Sequence, residues 1–273
     1  MRLKKKIKRI FSLILWGTLV TGAGILLGFA DYEQNGILCR HLHYDLVYGN
    51  SDPLITESDA DSLIHLAVGK VVGKPLYQIN TEKIEQVLRN YPYVDNVHVY
   101  GTSDGDIFIT IQQREPVIRI ITEKSQSYFI GKKGVLLPFH PEFPVRVMVA
   151  TGNIPDSLFS LPAEKYNKQK RFTIVQRSSL LTDLYRIALF ISSDPFLNAQ
   201  IVQVDVTPEG EYELIPKVGD HLILIGNAED LEDKFSRLMV FYRQGLNQIG
   251  WNKYNIINIK YKNQVVCSKS SII

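Results

Sequence analysis

Cysteine is nearly absent from this chain. Cys39 and Cys267 are the only two in 273 residues, and they lie near opposite ends. They offer no disulfide framework, and a chain of this length buries enough core to need none. Both are read as unpaired small hydrophobes, a bridge between them being the alternative that an oxidising compartment permits. The signatures of common catalysts are missing too: there is no G-x-S-x-G, no H-E-x-x-H and no supported S-x-x-K. "GKVVGKP" at 69–75 fails as a phosphate loop. Its glycines stand one residue too close, and Pro75 occupies the place of the Ser or Thr that would hold magnesium. No repeat and no low-complexity tract is seen, and a content of 45% hydrophobic and 22% charged residues excludes pervasive disorder.

No acid occurs before Asp31, and no charge of either sign between Ile10 and Ala30. Arg2, Lys4, Lys5, Lys6, Lys8 and Arg9 precede that gap, so the formal charge of +3 belongs to the N-terminal tip. The remaining 25 basic residues are outnumbered by 28 acids, which gives no reason to expect nucleic-acid binding. As a helix, the uncharged run over 10–30 would span roughly 31 Å, about the thickness of a bilayer core. The basic flank places residues 1–9 in the cytoplasm and the rest of the chain outside it. A cleaved signal peptide is the competing reading, because Gly28-Phe29-Ala30 resembles a small-x-small site. The run is longer than the about 7–15 residues of a signal's apolar region, which favours an uncleaved anchor.

Periodicity then organises the chain. "CRHLHYDLVY" at 39–48 reads as a strand. Thr56 and Asp59 form a capping box ahead of a helix carrying Ala60, Leu63, Ile64 and Ala67 on one face. Asn80 caps a second helix with Ile84, Val87, Leu88 and Tyr91, stopped by Pro92. A hairpin follows, Val97 and Val99 on one strand and Ile107, Ile109 and Ile111 on the other. The order is β-α-α-β-β. Pro116 cannot donate to a ladder, so it marks the exit from this unit into a second domain. There, hairpin 127–139 and strand 145–152 precede a helix with Leu181, Leu184, Tyr185, Ala188 and Ile191 in register. Three strands over 199–226, a long helix from Leu231 to Leu246 and a closing strand over 254–267 complete it. The expected fold class is α+β: a single N-terminal membrane helix, a small β-α-α-β-β domain and a larger mixed domain with a mainly antiparallel sheet.

Few residues invite chemistry. Cys39, His41 and His43 share one face of a strand, the spacing of metal ligands, but a fourth ligand is missing nearby. Asp230 and Asp233 read as helix-start and helix-face charges rather than catalytic carboxylates. No catalytic residue, cofactor or metal is expected, so the sheets must do the work. A closing strand with an open edge accepts another protein's strand, unless Lys260, Lys262 and Lys269 guard it.

Pro92-Tyr93-Val94 leads from the second helix into the hairpin, and Gln113-Arg114-Glu115-Pro116 stands at the domain junction. With these residues the chain resembles the FtsQ/DivIB family of bacterial cell-division proteins, to whose "PWV" and "ER.P" motifs they are similar. "YFIGKKGVLLP" resembles its "D..G..F" hairpin, and "HLILIG…LEDKFSRLMVFY…NIINIKY" its strand-helix-strand ending. Tyr93 stands in place of tryptophan, Gln113 in place of an acid and Gly131 where aspartate is common.

The resemblance implies a basic tail at 1–9, a membrane helix at 10–30, a POTRA-like domain at 31–115 and a β domain at 116–273. It implies a non-enzymatic divisome scaffold in the inner membrane at the septum, its C-terminal region periplasmic. The closing strand would dock FtsB, paired with FtsL, and so help recruit and regulate septal peptidoglycan synthesis. Tyr261, Val265 and Val266 are the partner-facing candidates, with Phe235 and Tyr242 on the neighbouring helix. For the last two, core packing is the competing reading. The POTRA-like part around Tyr77 to Val94 would serve another membrane partner. Two other classes remain: a membrane-anchored cell-wall enzyme, which needs a catalytic set, and an outer-membrane assembly or secretion factor, which needs barrel strands or repeated POTRA units.

Overall fold

The structure is a computed structural model, and it describes residues 15–25, 36–159 and 178–269. Residues 15–25 form helix α1, the described portion of the apolar run. Among the described residues no helix is long and apolar enough to cross a membrane. The basic tail and the other residues of the expected span lie outside the described residues. Contacts divide the chain into two units, Met1–Val47 with Ile55–Gln112, and Tyr48–Leu54 with Gln113–Ile273.

The first unit is a three-stranded sheet under two helices. Strand β1 (Leu42–Val47) is followed by α2 (Glu57–Val68), α3 (Thr81–Arg89), β2 (Val94–Gly101) and β3 (Ile107–Gln113). The sheet order is β1-β3-β2, with β1 parallel to β3. Local chemistry starts both helices. Thr56 and Asp59 exchange the two hydrogen bonds of a capping box, and Asn80 Oδ1 accepts from the Lys83 N–H at 2.8 Å. Each helix then buries its apolar stripe, Ala60 and Ile64 on α2, Ile84 and Leu88 on α3. Beneath them sit Val97, Val99, Ile107, Ile109 and Ile111. Burying each of the Val, Leu and Ile side chains stabilises the unit by about 1.5–3 kcal/mol. The expected strand over 39–48 begins only at Leu42, because Leu38 and Cys39 pair elsewhere. The Cys39 N–H donates to Lys74 O and its carbonyl accepts from Gly73 N, both at 2.8 Å.

In the second unit, β4 (Pro116–Ile121), β5 (Ser127–Gly131), β6 (Leu136–Pro138) and β7 (Met148–Gly152) lead to α4 (Ser179–Ser193) and α5 (Pro195–Gln200). Then come β8 (Ile201–Val206), β9 (Tyr212–Pro216), β10 (Leu222–Gly226), α6 (Leu231–Phe241), a π-helical turn (Tyr242–Leu246), α7 (Asn247–Ile249), β11 (Ile256–Asn258) and β12 (Val266–Ser268). These strands form one sheet of nine, ordered β12-β11-β10-β9-β8-β7-β4-β5-β6. Five of its eight pairings are antiparallel. The others, β4–β7, β7–β8 and β10–β11, are parallel. A parallel neighbour needs a long crossover, and the α4–α5 and α6–α7 segments supply two of them.

One face of that sheet is apolar. Along β4, Pro116, Ile118 and Ile120 are buried while Val117, Arg119 and Ile121 are half-buried, and Tyr212, Leu214 and Pro216 repeat the pattern on β9. Leu184, Ile187, Ala188 and Ile191 of α4 and Phe235 and Leu238 of α6 complete the core over this face. Pro116 does open a new sheet. It pairs with Gly131 across an irregular register, where its missing N–H is tolerated.

Two details depart from expectation. The long helix from Leu231 to Leu246 breaks into α6 and the π-helical turn, and the closing strand is two short strands. Between β11 and β12 the chain reverses through residues 259–265, with Asn263 in the left-handed region at φ 58°. A tolerant asparagine there is what lets the strand double back.

Candidate docking edge

The nine-stranded sheet ends on β12, which pairs antiparallel with β11 through Ile256↔Ser268, Ile257↔Cys267 and Asn258↔Val266. Among the described residues nothing pairs with its other side. Hydrogen bonding shows which residue faces outward. The Ile259 N–H donates to Leu224 O at 3.0 Å, and β11 runs parallel to β10. Successive residues of a strand send their main-chain groups to opposite sides. Ile257 and Ile259 therefore address β10, Ile256 and Asn258 address β12, and Cys267, opposite Ile257, turns its N–H and C=O to the open edge. Its side chain meanwhile packs against the core, where burial pushes the thiol pKa up.

The turn that delivers β12 is held by Arg237 of α6. Its Nη1 donates to Tyr261 O and to Gln264 O, each at 2.6 Å, and its Nη2 to Ile259 O at 3.2 Å. Asp233, one helical turn earlier, accepts from the same guanidinium at 2.9 Å and fixes its plane. Lys260 reaches Glu211 at 2.7 Å and Lys262 reaches Asp230 at 3.7 Å. Two of the three expected guard lysines are thus directed at carboxylates on other elements.

The five expected partner-facing residues divide. Tyr261 and Val266 are exposed, at 51% and 42%. Val265 is half-buried and packs on the core. Phe235 and Tyr242 are each only 1% exposed. The competing core reading describes their environment: Phe235 stacks on Phe190 at 5.0 Å, and Tyr242 packs against Trp251 at 5.0 Å. Burial pushes the Tyr242 phenol pKa up, and its hydroxyl meets His221 Nε2 at 2.9 Å. His221 is buried as well, and that burial holds its imidazole pKa below the ordinary value of 6.5.

The expected metal-spaced trio also divides. Cys39 is buried in the first core, and burial raises its thiol pKa. His41 and His43 instead face Asp106, with His41 Nδ1 3.2 Å from Oδ1 and His43 Nε2 3.2 Å from Oδ2. Sequence reasoning missed Asp106 because it lies 65 residues from His41. It missed Arg237 although Asp233, four residues before it, is an ordinary helix-face partner. Nothing local says that the guanidinium also reaches three carbonyls.

The chain holds a two-helix, three-stranded unit followed in sequence by a nine-stranded sheet that, among the described residues, ends on an open strand. Known families match both parts. Residues 38–112 match the POTRA-like domain, and residues 115–268, more than half of the chain, match "FtsQ/DivIB, C-terminal related". The chain belongs to the FtsQ/DivIB family of cell-division scaffolds. No curated protein matches it.

Proposed function

We propose that this protein is a non-enzymatic divisome scaffold that docks the FtsB–FtsL pair by strand addition on β12. The observation that carries the reading is the open edge of β12, with Cys267 presenting main-chain groups and Tyr261 and Val266 exposed beside it. In such an interface main-chain hydrogen bonds supply affinity and alternate side chains supply specificity. The edge is three residues long, so apolar contacts with Val266 and Tyr261 must add to the ladder. The uncharged run over 10–30 anchors the chain in the inner membrane with its basic tail in the cytoplasm. Both units then lie in the periplasm at the septum, where docking helps recruit and regulate peptidoglycan synthesis. The POTRA-like surface around Tyr77 to Val94 serves another membrane partner.

The test is co-purification of FtsB–FtsL with the full chain in detergent, wild type beside Val266→Asp and Tyr261→Ala. Both substitutions sit at exposed positions, so the fold is expected to persist. Loss of the partner pair in Val266→Asp supports the reading. Undiminished capture by both variants contradicts the placement at β12, and no capture by the wild type contradicts the partner.

A further inference from the structure

The start of β1 carries a cluster that the docking edge does not use. We propose that His41, His43 and Asp106 form a binding site for a borderline divalent cation, zinc being the best fit, which clips the entry of β1 to the β2–β3 turn.

The backbone presets the three positions. The Arg40 N–H donates to Gly105 O at 2.8 Å and the Ile107 N–H to His41 O at 3.0 Å, so the chain is tied on both sides of Asp106. Gly105 has φ 94°, and a Cβ there would lie 2.5 Å from Leu38 O, so only glycine permits this close approach. His41 and His43 are two residues apart on extended chain and project to one face. The His43 ring stacks on Phe108 at 4.8 Å, and Phe108 on Tyr100 at 5.4 Å, which fixes the plane of that imidazole.

The distances suit a metal. One ligand atom from each residue can be chosen so that all lie within 4.8 Å of one another, and each imidazole nitrogen lies 3.2 Å from a different oxygen of Asp106. Around a tetrahedral zinc with ligands at about 2.0–2.1 Å, neighbouring ligand atoms lie about 3.3–3.4 Å apart. Small side-chain rotations therefore close the set. Two imidazole nitrogens and one carboxylate oxygen select zinc, nickel or copper over magnesium and calcium. Three protein ligands leave a fourth position to water. On binding, zinc takes the lone pairs of His41 Nδ1 and His43 Nε2. Any proton on those atoms moves to the other ring nitrogen or to solvent. The competing account is a carboxylate that merely accepts two surface hydrogen bonds.

The two accounts separate by titration of the full chain, tag-free and chelator-stripped, with zinc chloride in a calorimeter. One zinc per chain is expected, with no response to magnesium. Binding is expected to weaken at least about tenfold in His41→Ala and in Asp106→Asn. His41 is 70% exposed at its side chain, so that variant is expected to fold, as circular dichroism checks. His98→Ala, away from the cluster, is expected to bind as the wild type does. Absence of binding below about 1 mM, or zinc affinity unchanged in both cluster variants, overturns the proposal.

Discussion

Arg237 Nη1 lies 2.6 Å from the carbonyl oxygen of Tyr261, so one helix side chain holds the turn that delivers the last strand. Hydrogen bonds from a charged donor contribute about 1.5–3 kcal/mol. Arg237→Ala is therefore expected to lower the unfolding free energy by about that much and to weaken partner capture at least tenfold. Arg237→Lys should fall between, because one ammonium cannot serve three carbonyls and Asp233 with the same planar fork. Urea unfolding and co-purification check the two effects. Equal stability and capture in all three proteins would leave the guanidinium without this role.

Gln113 uses both ends of its amide. Its Oε1 accepts from the Leu54 N–H, and its Nε2 donates to Ser51 Oγ and Asp52 O at 3.0 Å. The family pattern carries an acid here, which could accept from Leu54 but could not donate to a carbonyl. Ser51 already donates to Tyr48 O. Gln113→Glu is expected to cost about 1–3 kcal/mol, because a buried carboxylate oxygen would face the Asp52 carbonyl. Denaturant midpoints of the two proteins check this.

His221 makes stability depend on pH. Burial lowers its folded pKa below the ordinary 6.5, opposed by the nearby Asp220 carboxylate, while Tyr242 occupies Nε2. The unfolded chain then takes up the proton first. The contribution is fully present above about pH 6.5 and is lost as pH falls through the folded value. The melting temperature should therefore drop on acidification, and the drop should be smaller in His221→Gln. Parallel pH profiles for the two proteins would count against the assignment.

Much of this fold was legible because local signals and tertiary packing agree. Thr56–Asp59 and Asn80 cap the helices their spacing announced, and Pro116 falls where one sheet gives way to the next. Helix α5 escaped notice although Asp194 caps it, with hydrogen bonds from Phe196 and Leu197 N–H at 2.8 and 2.9 Å. It has six residues, too few for periodicity to speak. The split of the closing strand was hidden because β-branched residues stand on both sides of Lys262-Asn263-Gln264 and no Gly or Pro interrupts the run from Tyr254 to Cys267. What divides it is Asn263 and a guanidinium some 26 residues upstream. Phe235 and Tyr242 carried the helical spacing that both core and interface produce, and only burial separates the two. Pairings such as His41 with Asp106 depend on strand register, which a single sequence does not display.

The central claim is that β12 receives a partner strand through the main chain of Cys267. The most direct test compares Cys267→Pro with Cys267→Ser in the full chain, measuring affinity for the FtsB–FtsL pair. Proline removes the N–H that faces the open edge, whereas serine keeps it and is of similar size. The expected result is loss of binding in the proline variant with binding kept in the serine variant, both folded by circular dichroism. Equal affinity in both would contradict strand addition at this edge.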